Sequence, residues 1–170
     1  MTAPPARSAR VLALALLCAG CVYQFRGGNF PEHIRTLAVD PVENETSRLE
    51  VTGELNEQLF RILPAALGVR AASSDEADAV VRVNIIRYEV NAPNYRPGAG
   101  GQRAEVLQRQ VSITAQVQIV DQVNNEIYWE APTLRAEGQF LETTESEEVG
   151  RAEAIRTLVQ SIVDGAQSNW

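Results

Sequence analysis

Residues 107 to 119, LQRQVSITAQVQI, set Leu107, Val111, Ile113, Ala115, Val117 and Ile119 on one parity and Gln108, Gln110, Ser112, Thr114, Gln116 and Gln118 on the other. Arg109 is the exception on the apolar side. Successive side chains of a strand point to opposite faces, so strict alternation of this kind predicts a strand. One apolar and one polar parity predict an antiparallel strand with one face on a core and the other in water. At about 3.3 Å per residue the stretch extends roughly 43 Å, well beyond the usual five or six residues. The hairpin that contains it is therefore expected to project past the main sheet.

The flanking segments supply its neighbours. Ile34 to Val42 is rich in β-formers, ends at Asp40-Pro41 and predicts a first strand. Ser47-x-x-Glu50 has the form of a capping box, and Leu55, Leu59 and Ile62 recur at helical spacing. A helix is expected over about 48–63, stopped by Pro64 and Gly68. From Ala77 to Val90 the alternation runs Val81, Val83, Ile85 and then changes phase to Ile86, Tyr88, Val90. A bulge near Ile85-Ile86 absorbs such a change without turning the apolar set to solvent. Asn91 to Gln102 is a Pro/Gly/Asn loop, expected as the hairpin tip. After the 107–119 strand a turn at Asn124-Asn125 leads into a fourth strand with Ile127 and Trp129. Thr144-x-x-Glu147 offers a second capping box, and Val149, Ala152, Ile155, Leu158, Val159, Ile162, Val163 and Ala166 trace a helical stripe over about 145–168.

Strand, helix, three strands, helix, with both helices amphipathic, predict an α+β fold: a four-stranded mixed, largely antiparallel sheet with two helices packed on one face. The other face is left to Gln, Ser and Thr.

The N-terminus has a different logic. Arg7 and Arg10 with no acid, then apolar Val11 to Leu17, then Ala19-Gly20, have the order of a secretory signal peptide. The apolar part is about half the roughly 20 residues a membrane-spanning helix needs, so removal is expected. Lipoprotein processing requires small residues before the modified thiol: Cys21 has them, whereas Cys18 follows Leu16-Leu17. Cys18 itself occupies the position three before Cys21, where an aliphatic residue is usual. A Cys-x-x-Cys redox or metal pair is the alternative, but it needs a folded setting to activate a thiol, and this pair straddles the end of a leader. The expected organisation is a cleaved signal peptide over 1–20, a lipidated tether over 21–33 with Cys21 as the lipidation site, and a single domain over 34–170.

No cysteine follows Cys21, so the mature chain has no disulfide framework and no thiol nucleophile. All 15 basic residues are Arg; with Arg7 and Arg10 gone, 13 stand against 22 acids, an acidic balance that disfavours nucleic acid. His33, the one histidine, reads as a solvated loop residue, and with no second His or free Cys no metal, cofactor or Cys/His nucleophile is expected. There is no Gly-x-Ser-x-Gly elbow, and Gly98 to Gly101 lacks a P-loop lysine. Glu137, Glu142, Glu145, Glu147 and Glu148 could do acid/base work or bind calcium. Those at 145–148, however, also sit where acids favour a helix N-terminus. No enzyme is expected; surfaces do the work.

An ordered set of segments resembles a known family. CVYQFRGG is similar to the Cys-x-Tyr-x-Phe/Leu-Arg-Gly opening of the LptE family, the lipopolysaccharide-assembly lipoproteins of the outer membrane. IRTLAVDPVENET resembles its following strand and Asn-x-Thr turn, ADAVVRVNIIRYEV its alanine-aspartate strand, and DQVNNEIYW its aspartate-turn-tryptophan hairpin. The resemblance implies a lipid-anchored protein on the periplasmic side of the outer membrane that plugs the β-barrel LptD, helps it fold and helps lipopolysaccharide reach the outer leaflet. A barrel lumen is polar, which suits the Gln/Ser/Thr face.

It further implies direct lipopolysaccharide contact by basic residues near the hairpin tip. Tyr95-Arg96-Pro97-Gly98 matches the family's aromatic-Arg-x-Gly, and Arg96, Arg103 and Arg109 are the candidate contacts, since Arg grips phosphate bidentately. Relatives with further basic residues at the start of the second helix differ from this chain, which has its glutamates there. The bland reading is that these arginines solubilise a loop. The competing function is a periplasm-facing lipoprotein that activates a cell-wall synthase or serves a transport complex.

Overall fold

The computed structural model describes residues 30–96 and 105–168. In chain order these form β1 (Thr36–Val39), β2 (Glu43–Asn44), α1 (Leu49–Leu67), β3 (Arg70–Ala71), β4 (Ala79–Arg96), β5 (Glu105–Asp121), β6 (Glu126–Phe140) and α2 (Glu147–Gln167). The sheet runs β3-β1-β4-β5-β6, with β2 also on β4. β1 lies parallel to β3 and β4, whereas β4, β5 and β6 form an antiparallel meander. The α+β class and the one-sided helical cover agree with the sequence reading. The four expected strands become six because two-residue strands carry no periodicity to read.

The expected phase change in β4 is present. Ile85 pairs with Ala115 and Arg87 with Thr114, so Ile86 is the extra residue. Val81, Val83 and Ile85 before it and Tyr88 and Val90 after it thus share the face of Val111, Ile113, Ala115, Val117 and Ile119. On that face they meet Val51, Leu55, Leu59, Leu63 and Leu67 of α1 and Ala154, Ile155, Leu158, Val159, Ile162, Val163 and Ala166 of α2. Each fully buried Leu or Ile is worth about 1.5–3 kcal/mol.

The helix ends depart from the sequence reading. Pro64 does not stop α1, which continues to Leu67. Leu63 and Leu67 are both buried, and their packing outweighs the hydrogen bond that proline cannot make. Gly68, at φ 72°, ends the helix in the left-handed region, with Val69 N–H on Pro64 O at 2.9 Å and Gly68 N–H on Ala65 O at 3.3 Å, a Schellman arrangement.

Neither capping box forms: the N-caps are Arg48 and Ser146, without side-chain caps. An Asn44-x-Thr46 turn prepares α1 instead. Asn44 Oδ1 accepts from Thr46 N–H and Oγ1–H at 2.8 and 2.7 Å, and Asn44 Nδ2 donates to Arg48 O and Thr52 Oγ1.

The fourth strand reaches Phe140, well beyond Trp129. Pro132 is tolerated because β6 is an edge strand with a register shift there: Val117 pairs with Ala131 and Ala115 with Leu134.

Candidate functional site

β6 reaches only as far as Arg109, which pairs with Phe140, whereas β4 and β5 continue paired to Arg96 and Glu105. The expected projecting hairpin is thus a two-stranded ribbon that leaves the sheet at Arg109. Its root is braced by the helix N-termini. Tyr88 donates its hydroxyl to Glu147 Oε1 at 2.7 Å, Arg48 reaches Glu147 at 3.4 Å, and the Arg48 guanidinium lies 5.4 Å from the Tyr88 ring centroid. Burial and the Glu147 carboxylate push the Tyr88 hydroxyl pKa well above its ordinary value. Arg151 clasps Glu54 through Nε and Nη2 at 2.8–3.1 Å, joining α2 to α1.

Of the three arginines singled out in the sequence, only Arg109 has a described side chain. Its Nη2 donates to Glu142 Oε1 at 2.7 Å, and this carboxylate raises the Arg109 pKa. The backbone of Arg96 closes the ribbon opposite Glu105. Arg103 and Cys21 lie outside the described residues, as do the tip residues 97–104.

The glutamate run does not act as one cluster. Glu137 pairs with Arg135, Glu142 with Arg109, Glu145 accepts from Leu141 N–H, and Glu147 and Glu148 lie in the first turn of α2. Among the described residues no group of three His, Cys, Asp or Glu could hold a metal ion.

The sheet face away from the helices is built in rows across β4, β5 and β6. They read Asn91-Gln110-Gln139, Glu89-Ser112-Glu137, Arg87-Thr114-Arg135 and Arg82-Gln118-Glu130, with Asn84 opposite Gln116. Amides alternate with ion-pairing residues, Arg135 meeting Glu137 at 2.9 Å and Arg87 meeting Glu89 at 3.8 Å. Gln108 donates across the strands to Gln139. The polar face expected from β5 alone therefore extends over three strands.

His33 lies exposed in a turn, as expected of a loop residue, but it is not merely solvated. It has partners: Nε2 lies 2.5 Å from Asp121 Oδ2 and 3.1 Å from Asn124 Nδ2. Asp121 is buried and also accepts from Val123 and Asn124 N–H. Burial works to raise its pKa, but the bonds from His33, Asn124 and Val123 outweigh that and lower it. Phe30 packs edge-on against Tyr128 at 4.9 Å between centroids. The segment entering β1 is thus fastened at the β5–β6 turn, the end of the sheet opposite the ribbon. Sequence spacing offers no signal for a contact between residues 88 positions apart.

The comparisons with known proteins accord with this architecture. The structure resembles a hypothetical protein of Chlamydia trachomatis at TM-score 0.55 and 13% identity, covering 79% of this chain and 96% of that one. It also resembles a minor lipoprotein of Acinetobacter baumannii at TM-score 0.50 and 18% identity, covering 81% and 95%. At such identities the likeness is one of fold. No curated protein matches the chain by sequence. The family model described as LptE, lipopolysaccharide-assembly, matches residues 34–165, from the approach to β1 through nearly all of α2, and the chain belongs to that family.

Proposed function

We propose that this protein is a non-enzymatic lipoprotein of lipopolysaccharide assembly. It is anchored through Cys21 on the periplasmic side of the outer membrane and plugs the LptD-type barrel through which lipopolysaccharide reaches the outer leaflet. The supporting observation is the amide-rich face continuous over β4, β5 and β6, whose chemistry matches the polar interior of a barrel. Family membership supplies the pathway.

The candidate contacts to lipopolysaccharide are Arg96, Arg103 and Arg109, the last of which stands at the root of the ribbon. Arg109 is engaged by Glu142, so phosphate binding at that residue competes with this carboxylate.

The test is to express the full lipidated chain in its host, extract the outer membrane in mild detergent and identify what co-purifies. A large heat-modifiable barrel is expected; a cell-wall synthase or inner-membrane transporter subunit in its place would falsify the reading. Replacing both Arg96 and Arg103 by Glu should weaken lipopolysaccharide binding while leaving barrel recovery intact. Unchanged lipopolysaccharide binding would remove the direct-contact assignment.

A further inference from the structure

β4 and β5 go on as two strands where three had run, because β6 ends at Phe140 opposite Arg109. A two-stranded ribbon twists more freely than a sheet and has little besides its own ladder to hold it. That ladder is interrupted on both sides of the exit. Ile86 bulges inside the sheet, and the pairing of β4 with β5 shifts register again between Asn91 and Asn94. Irregularities of this kind bend a strand and increase its twist. The direction of the ribbon therefore depends on contacts outside the ladder.

One short segment supplies such contacts to both strands. The loop that joins β6 to α2 sets Glu142 against Arg109 of β5, whose Nη2 donates to Oε1 at 2.7 Å. It also leads to Glu147, whose Oε1 accepts from the Tyr88 hydroxyl of β4 at 2.7 Å. Both gripped residues lie on the helix side of the sheet: Tyr88 pairs with the buried Ile113, and Arg109 with the buried Phe140. Ile113 and Arg109 are four residues apart on β5, so the grips are separated by about 13 Å along the ribbon axis. The loop between them is tied to itself. Leu141 O accepts from Thr144 and Glu145 N–H at 3.2 and 2.9 Å, and Leu141 N–H donates to Glu145 Oε2 at 2.7 Å. Its far end is the first turn of α2, and Arg48 at the start of α1 reaches Glu147 at 3.4 Å. A contact on one strand alone leaves a pivot; contacts on both strands, spaced along the axis, remove it. Arg109 and Glu142 are each more than a third exposed, and such pairs add little to global stability. Their placement serves direction better than it serves cohesion.

We propose that this loop is a saddle that aims the ribbon, with Glu142 and Glu147 as positioning residues. The glutamates that lead into α2 thereby take part in lipopolysaccharide binding without touching the ligand. The inference rests on the reading of Arg96, at the far paired end of the ribbon, as a lipopolysaccharide contact. A ribbon that points correctly only part of the time binds with an affinity reduced by that fraction.

The experiment uses the full lipidated chain in detergent. With Cys21 acylated and no cysteine after it, spin labels attach only at introduced thiols, Glu105→Cys at the paired end of the ribbon and Arg156→Cys on the exposed side of α2. The distance between the labels should be single and narrowly distributed. Glu142→Ala and Tyr88→Phe should each widen the distribution, and the two together should widen it most, with urea midpoints unchanged. Glu147→Gln, which still accepts from Tyr88, should keep it narrow, and Arg109→Glu with Glu142→Arg should restore it. Lipopolysaccharide affinity should fall about threefold in Tyr88→Phe if the ribbon then keeps its direction a third of the time. A narrow distribution in the Glu142→Ala, Tyr88→Phe double variant overturns the inference, as does widening that follows a lowered urea midpoint. Unchanged affinity in a Tyr88→Phe protein whose distribution has widened overturns the aiming role. If the wild-type chain binds no lipopolysaccharide, the functional reading fails, while the distances still decide whether the loop holds the ribbon.

Discussion

The carbonyl oxygen of Gly150 stands 2.0 Å from where a Cβ on Gly138 would lie. α2 therefore crosses β6 backbone to backbone at its second turn, and a side chain at Gly138 cannot be accommodated by rotating a neighbour. Gly138→Ala should cost about 1–3 kcal/mol, read as a lower urea midpoint. Gly53 offers the contrast: it is exposed within α1 with nothing within 4 Å of its Cβ position, so Gly53→Ala should stabilise by about 1 kcal/mol.

The Arg151–Glu54 clasp spans the two helices with three short contacts, and the Arg151 side chain is only 12% exposed. Glu54 is more than a third exposed, so solvent screening tempers the loss. Arg151→Ala should cost about 1–2 kcal/mol. A double-mutant cycle with Glu54→Ala should show most of that loss as coupling between the two residues; additive single losses would refute the clasp as their shared cause.

Acid should unfold the protein partly through Asp78 and Asp121. Asp78 Oδ2 accepts from Arg35 N–H and from Thr36 N–H and Oγ1–H, and these bonds lower its pKa. The Asp121 pKa is lowered by His33 and the β5–β6 turn against the opposing effect of burial. Folded-state values below the unfolded ones mean that protons favour the unfolded chain. The contribution is complete above about pH 4 and is lost as pH falls through the folded values. Urea midpoints measured from pH 6 to 2.5 should fall, and Asp78→Asn with Asp121→Asn should flatten that fall.

Tyr88 and Tyr128 both have raised pKa values, the first through burial and Glu147, the second through burial. In an alkaline titration followed at the phenolate absorbance, part of the tyrosine signal of the folded protein should appear well above pH 10. In denaturant all of it should appear near that value. Tyr88→Phe should remove part of the late-titrating signal.

Much of the fold could be read from periodicity, because periodicity records which side faces the core. The β5 alternation and the phase change at Ile85-Ile86 matched the structure for that reason, and so did the α2 stripe from Ile155 onward, whereas its first two members, Val149 and Ala152, are exposed. What escaped depends on partners distant in sequence. Pro64 looked like a break, yet it is held inside the helix by the packing of Leu63 and Leu67. Ser47 and Thr144 had the right spacing for caps, but Asn44 and Thr46 organise one helix start while Glu147 turns to Tyr88 at the other. The candidate site was legible as a polar strand parity. Its width became visible only when β4 and β6 aligned their own polar residues beside it, and the Glu142 grip on Arg109 had no local signature.

The entry segment at His33 and the far end of the ribbon lie at opposite ends of β5, which is 17 residues long and so measures roughly 56 Å. That exceeds the roughly 30 Å hydrocarbon thickness of a bilayer. A molecule tied to a surface at its His33 end would hold the ribbon at a stand-off set by backbone rise instead of linker slack. Lengthening the tether would then move the whole body without changing its internal reach, whereas deleting paired residues from β4 and β5 would shorten that reach by a fixed step per pair.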